Sequence, residues 1–217
     1  ESEQARDAVP IKPQRVMRAL QRCIDAETCV VADASFASGW MAEFLEQHHS
    51  GRAFLFPRGA AGLGWALPAA IGVALSGKYR RIVAVAGDGA FAYSLGELAT
   101  VRQHALPIVS IVLNNSTLGW VKWDVALSYD REPPSTNFGY LDYAAIAQGF
   151  GLPAATVDQP ADLEERLERL IAGGAGGVLN VLTAWDEAPI YAYREAIVRK
   201  QHGERTRMSG YSPTPSC

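Results

Sequence analysis

Along most of this chain, short unbroken apolar runs alternate with longer stretches whose apolar residues recur every three or four positions. The runs predict strands over 29–32, 54–56, 82–86, 108–113, 155–157 and 178–182, and the periodic stretches predict helices over 13–26, 39–48, 63–75, 94–104, 143–150 and 162–171. The last helix is the clearest. Leu163, Leu167, Leu170 and Ile171 form one apolar stripe, Glu164, Glu165, Arg166, Glu168 and Arg169 take the other face, and Pro160 stands just ahead. Strands apolar on both faces and separated by helices pack as a parallel sheet, so the fold class is α/β, a doubly wound parallel sheet with helices on both faces. The alternation breaks at 128–139, which holds Pro133-Pro134, several polar residues and no apolar period. That stretch predicts a long loop of the kind that often covers a site.

One strand stops abruptly: the run from Arg81 to Ala86 ends in Gly87-Asp88-Gly89. This places the triplet at the carboxyl edge of the sheet, where open α/β sheets bind ligands. Two glycines allow a tight bend and close approach of the backbone to a diphosphate, and the carboxylate between them is a hard oxygen ligand suited to Mg²⁺. Ser94-Leu95-Gly96-Glu97 has the spacing of a capping box, so a helix is expected to start there with its amino end available to phosphate charge. The run from Pro107 to Leu113 then delivers Asn114-Asn115 to the same edge. Magnesium commonly takes one or two protein oxygens and completes its octahedron with phosphate and water, a requirement that Asp88 and Asn115 meet. Either piece alone reads as a turn; two such strand ends joined by one crossover read as a diphosphate and metal site.

With 217 residues, 48% of them hydrophobic, the chain can form one large domain or two small ones around a substantial core. A net charge of -3, a pI near 5.8 and scattered basic residues exclude a nucleic-acid surface. The longest apolar stretch, 62–75, is interrupted by Pro68 and glycines and is too short to span a bilayer, so no membrane role is expected. Cys23, Cys29 and Cys217 are too few and too widely spaced for a zinc cluster or a disulfide framework, and a cytoplasmic location is expected. His48, His49, His104 and His202 belong to no motif.

From about Lys12 to Thr183 the chain resembles the diphosphate-binding (PP) domain of thiamine-diphosphate enzymes, the superfamily of acetolactate synthase, benzoylformate decarboxylase and pyruvate decarboxylase. The resemblance rests on Gly87-Asp88-Gly89 with Asn114-Asn115, and on the stretch from Pro57 through Gly72, which resembles the segment that cups the cofactor's aminopyrimidine. It implies thiamine diphosphate and Mg²⁺ as cofactors. It also implies that Asp88, Asn115 and the backbone carbonyl of Thr117 are the metal ligands, and that Gly87, Gly89, Ala90, Leu118 and Gly119 complete the cofactor-binding loops. Leu63 would wedge beneath the cofactor and hold it bent, and the Ala61 carbonyl would accept a hydrogen bond from its exocyclic amine. The loop from Asp33 to Trp40 falls where the family places a diphosphate contact. It lacks the Gln and His of acetolactate synthases, which leaves Ser38 as the candidate contact, with helix capping as its alternative role. Trp120 and Asp124, on a helix leading away from Gly119, are candidates for the substrate pocket. Their other reading is a packed tryptophan and a solvated aspartate. Acetolactate synthases carry Trp where Asp124 stands, a departure from the pattern that accompanies pyruvate-to-acetolactate chemistry.

The activity implied is that of a thiamine-diphosphate-dependent decarboxylase or carboligase acting on a small 2-oxoacid. In this superfamily a glutamate from a separate pyrimidine-binding domain starts catalysis, and no β-α-β unit ahead of the 13–26 helix could carry it. The chain alone is therefore expected to be inert. Its expected layout is an N-terminal extension over 1–12, a PP domain over 13–188 and a C-terminal helix and tail over 189–217. One reading is a natural subunit of a split enzyme, a hetero-oligomer such as α2β2 whose pyrimidine-domain subunit completes the site at the interface; the other is a piece of a longer chain. The look of the sequence after Ala188 favours the first. An alternative of another class is a non-catalytic regulatory or scaffold subunit. A dinucleotide site of Rossmann type lacks its Gly-x-Gly-x-x-Gly after the first strand.

Overall fold

The computed structural model describes residues 7–47, 53–129 and 134–189. The expected tail beyond Pro189, the histidines 48, 49 and 202, and residues 130–133 of the expected long loop lie outside the described residues.

The elements follow one another as α1 (Pro13–Cys23), β1 (Thr28–Ala32), α2 (Phe36–Phe44), β2 (Phe54–Leu55), α3 (Ala66–Leu75), β3 (Arg81–Gly87), α4 (Asp88–Ala92), α5 (Leu98–Gln103), β4 (Ile108–Asn114), α6 (Gly119–Tyr129), α7 (Tyr143–Gly149), β5 (Ala154–Val157), α8 (Leu163–Gly173) and β6 (Gly177–Leu182). All strand pairs are parallel, in the order β2-β1-β3-β4-β6-β5. The doubly wound sheet expected from the apolar runs is therefore the fold observed.

Successive residues of each central strand supply opposite faces. Val30, Val83, Val85 and Ile111 pack under α1, α2 and α8 with Met17, Leu20, Trp40 and Leu167. Val31, Ile82, Ala84 and Val112 pack under α3, α5 and α7 with Leu67, Leu98 and Tyr143. Ile11, ahead of α1, is also buried and sits in parallel beside Thr183, so the sheet is extended past the end of β6. The chain leaves β1 to one side towards β2 and to the other towards β3, which makes the gap between the ends of β1 and β3 a topological switch point.

Three helix starts differ from expectation, the first being α2, which begins at Phe36 and not at 39. No capping box forms at Ser94: its hydroxyl donates back to the Phe91 carbonyl at 3.4 Å, and the Glu97 carboxylate accepts from Thr100 Oγ1 at 3.1 Å. The segment instead begins as α4 directly at Asp88, turns through a 3-10 turn at Leu95–Glu97, and continues as α5. Helix α3 begins at Ala66 and not at 63, because Gly64 has φ +83° and interrupts any helix ahead of it. Among the described residues, no helix is long and apolar enough to cross a membrane.

Candidate functional site at the carboxyl edge of the sheet

A cavity of about 540 Å³ opens at the switch point, lined by the loops that follow β1, β3, β4 and β6 and by the segment ahead of α3. Its polar end is built on Asp88, which is 2% exposed. One carboxylate oxygen accepts from the Gly89 amide at 2.7 Å; the other accepts from the Asn115 amide at 3.0 Å and from the Ser116 amide. The aspartate thus ties the β3 loop to the β4 loop. Burial pushes its carboxyl up to about 6 from 3.8, against the pull of those backbone amides. The Tyr143 hydroxyl, from α7 and fully buried, donates to the Asp88 backbone carbonyl at 2.8 Å, pinning the loop from below.

The two asparagines do different work. Asn115 lines the cavity, and its side-chain oxygen accepts from the Thr117 amide at 3.2 Å. Asn114 is committed to the fold: its amide donates to the Leu141 carbonyl and to Asn180 Oδ1, both at 2.9 Å. A short segment then covers the β4 loop. The Thr136 carbonyl accepts from Thr117 Oγ1 at 3.0 Å and from the Leu118 amide at 2.9 Å, while the Phe138 amide donates to the Ser116 carbonyl at 3.0 Å.

Backbone strain gathers at this edge. The described non-glycine residues with positive φ are Ser35, Ala61, Ser116 and Ala105. Ser35 and Ala61 line the cavity, and Ser116 sits between two residues that do. Such conformations persist where surrounding contacts over-determine them, as they do at functional sites. Helices α2 and α6 begin here too, at Phe36 and Gly119, each with its amino end towards the cavity rim. The positive ends of these helix dipoles favour an anionic occupant. Among the described residues, no group of three His, Cys, Asp or Glu could hold a metal ion. One carboxylate, one amide oxygen and a backbone carbonyl instead suit Mg²⁺ that takes its remaining ligands from phosphate and water.

The expected site residues are mostly brought together. Ala61, Leu63, Gly87, Asp88, Gly89, Ala90, Asn115, Thr117, Leu118, Gly119 and Trp120 all line the cavity. Leu63 is 39% exposed, which removes ordinary core packing as the explanation of that leucine. Trp120 stacks at a tilt on Phe36 with ring centroids 5.5 Å apart, and with Trp40 forms an apolar wall. Ser38 and Asp124 stand apart from the lining. Ser38 is buried in α2 and donates its hydroxyl to the Asp33 carbonyl at 2.6 Å, so it neither caps that helix nor opens into the cavity. Asp124 is exposed one turn beyond Trp120. Three residues not singled out by the sequence matter to the geometry: Phe36 and Trp40 in the wall, and Asp33 behind it. Asp33 had a visible signal, a lone charge directly after the apolar run of β1.

A family model described as "Thiamine pyrophosphate enzyme, C-terminal TPP binding domain" matches residues 33–181. The chain belongs to this family. Its TPP-binding domain is 30% identical over 171 residues to a probable acetolactate synthase large subunit of Methanococcus aeolicus, covering 76% of this chain and 28% of that protein. It is 27% identical to benzoylformate decarboxylase of Pseudomonas aeruginosa, covering 82% and 34%. The solved thiamine diphosphate-dependent 4-hydroxybenzoylformate decarboxylase of Rhodococcus jostii superposes with a TM-score of 0.78 over 86% of this chain and 35% of that one; at 24% identity this is a likeness of fold. The chain spans about a third of the length of the relatives it matches.

Proposed function

We propose that this TPP-binding domain holds the diphosphate of thiamine diphosphate through Mg²⁺ and belongs to a 2-oxoacid decarboxylase or carboligase. The observation that carries the reading is the cavity in which the strained β1 and β4 loops, the strained segment ahead of α3, the β3 loop, two helix amino ends and an exposed leucine meet. Asp88 and the Asn115 side chain would ligate the cation, with the Thr117 carbonyl as third protein ligand. The Ala90 amide and the amino ends of α2 and α6 would receive the diphosphate oxygens, while the Gly89 amide stays on the Asp88 carboxylate. When bound, the cofactor supplies the electron sink for cleavage of the bond next to the keto group.

The chain's own contribution is to bind, orient and exclude water. Leu63 would hold the cofactor bent, and the Ala61 carbonyl would accept from its exocyclic amine. Leu118, Trp120 and Phe36 line the middle of the cavity with apolar surface, which strengthens electrostatic interactions there by keeping water out. Ser38 supports the β1 loop through the Asp33 carbonyl and is not proposed as a diphosphate contact. No side chain of the lining is placed as a proton-transfer base. A pyrimidine-binding domain with its glutamate, in a partner chain or elsewhere in the same protein, would complete the site.

Calorimetric titration of the chain with thiamine diphosphate, with and without Mg²⁺, tests the reading. Magnesium-dependent binding supports it, and binding that ignores the cation, or none at all, overturns it. Release of CO₂ from pyruvate, benzoylformate or glyoxylate, once a pyrimidine-domain protein is added, would then identify the substrate class.

A further inference from the structure

We propose that Asp33 is a positioning residue for the cofactor: from the end of β1 it braces the backbone on the far side of Leu63 and so sets how far that side chain enters the cavity. The inference rests on the reading of this cavity as a thiamine diphosphate site.

Asp33 is fully buried directly after an apolar strand. No described residue forms a salt bridge with it, so backbone amides must compensate its carboxylate. One oxygen accepts from the Ala34 amide at 2.8 Å and the Gly64 amide at 3.1 Å; the other accepts from the Ala66 amide at 2.8 Å. Burial holds its carboxyl above the usual carboxylate range, and these amides pull the other way.

Two of these amides, those of Gly64 and Ala66, belong to the start of α3, whose own N-cap, Trp65, has no side-chain hydrogen bond to offer. Asp33 therefore caps that helix from another element. Its grip begins at Gly64, one residue past the cavity-facing Leu63. Gly64 is fixed twice over: its φ is +83°, and a Cβ there would come within 2.7 Å of Tyr93 Cβ. The brace is itself held, since the Asp33 amide donates to the Val85 carbonyl at 2.7 Å and its carbonyl accepts from Ser38. A hydrogen-bonded path thus runs from β1 and β3 to the residue next to Leu63. The expected metal ligands at the diphosphate end, Asp88 and Asn115, are held by other residues.

The path makes a selective prediction, because an ordinary helix cap would not distinguish the two halves of the cofactor. In the full chain with Mg²⁺, Asp33→Asn should speed hydrogen exchange of the Gly64 and Ala66 amides and weaken thiamine diphosphate about tenfold, while inorganic diphosphate binds within about twofold of the unaltered protein. Asp33→Glu keeps the charge and the cap but lengthens the arm, so it should retain the fold if Asp33→Asn does not and still weaken thiamine diphosphate selectively. In a Leu63→Ala background the effect on thiamine diphosphate should vanish, since the brace acts through that leucine. Equal loss for both ligands, or an undiminished effect without Leu63, overturns the brace while leaving the site reading intact. If the unaltered chain binds neither ligand, the site reading falls and takes the brace with it.

Discussion

The two ends of the sheet carry the same residue type in opposite electrostatic states. At the amino edge, Asp25 precedes β1 and meets Arg81 of β3 in the open; its carboxyl lies below the usual range, held there first by the Thr28 hydroxyl at 2.7 Å and further by Glu27 and Arg81. At the carboxyl edge, Asp33 and Asp88 end the same two strands, buried, and burial drives both carboxyls upward. The contrast separates surface stability from function. A solvated ion pair favours the charged form at little cost, whereas burial makes the charged form of an aspartate costly even among amides: Asp33 uses its carboxylate to hold the backbone ahead of α3, and Asp88 lines the cavity.

Removing the carboxylate at the carboxyl edge should have the largest effect. Asp88→Ala is expected to weaken magnesium-dependent thiamine diphosphate binding by about a thousandfold or more, on the order of 4 kcal/mol, while the chain keeps its fold because Asp88 stands at a strand end. Calorimetry and circular dichroism on the same samples check both halves. Binding retained within about tenfold would mean that another group grips the cation.

The pH dependence comes next. Burial raises the Asp88 carboxyl to about 6 in the fold from its ordinary 3.8, so the native state without cation binds its proton more tightly than the unfolded chain. Its contribution to stability is therefore fully present below about pH 4 and is lost as pH rises through 6, by about 3 kcal/mol. The cation requires the ionised form, so Mg²⁺ affinity should climb about tenfold per pH unit up to 6 and then level off. Urea unfolding of the chain and of Asp88→Asn, compared from pH 4 to 8, isolates this one group. Parallel curves would show that its titration is not linked to folding.

Gly89→Ala tests packing at the same edge. An added Cβ would come within 2.6 Å of Leu118 Cδ2, with the Phe138 ring 3.4 Å away. The end of the Leu118 side chain must turn away, and it lines the cavity, so a loss of about 1 kcal/mol in thermal unfolding and a several-fold weaker cofactor affinity are expected. Unchanged affinity would mean that the β4 loop tolerates the shift.

Much of this arrangement was legible in the residues themselves. The strands announced themselves because the central ones are apolar on both faces, and Gly87-Asp88-Gly89 with Asn115 was readable because each motif ends a strand. What could not be read depends on contacts distant in sequence. Asn114 and Asn115 are identical neighbours, yet the first serves a polar chain that runs through buried Asn180 to Thr156 at the surface, which no local pattern reveals. The start of α3 is set from Asp33, 33 residues earlier in the chain, and the Ser94 hydroxyl was taken by the preceding turn. Asp124 lies on the expected helix but one turn too far along to reach the described cavity.

The smallest effect is expected at the amino edge, where the comparison is most easily broken. Asp25→Asn removes an ion pair whose partners are both partly solvated, and the lost contribution should be about 0.5 kcal/mol, shrinking further in high salt. Because the folded carboxyl is held low, that contribution is present above the unfolded value of 3.8 and is lost as pH falls below it, opposite in sign to Asp88. Thermal unfolding at pH 7 and pH 3 measures it. Thiamine diphosphate affinity should not change, since the ion pair lies at the far end of β1 and β3 from the cavity. A shift in affinity of more than about threefold would mean that strain passes along those strands, and the two edges could no longer be treated as independent.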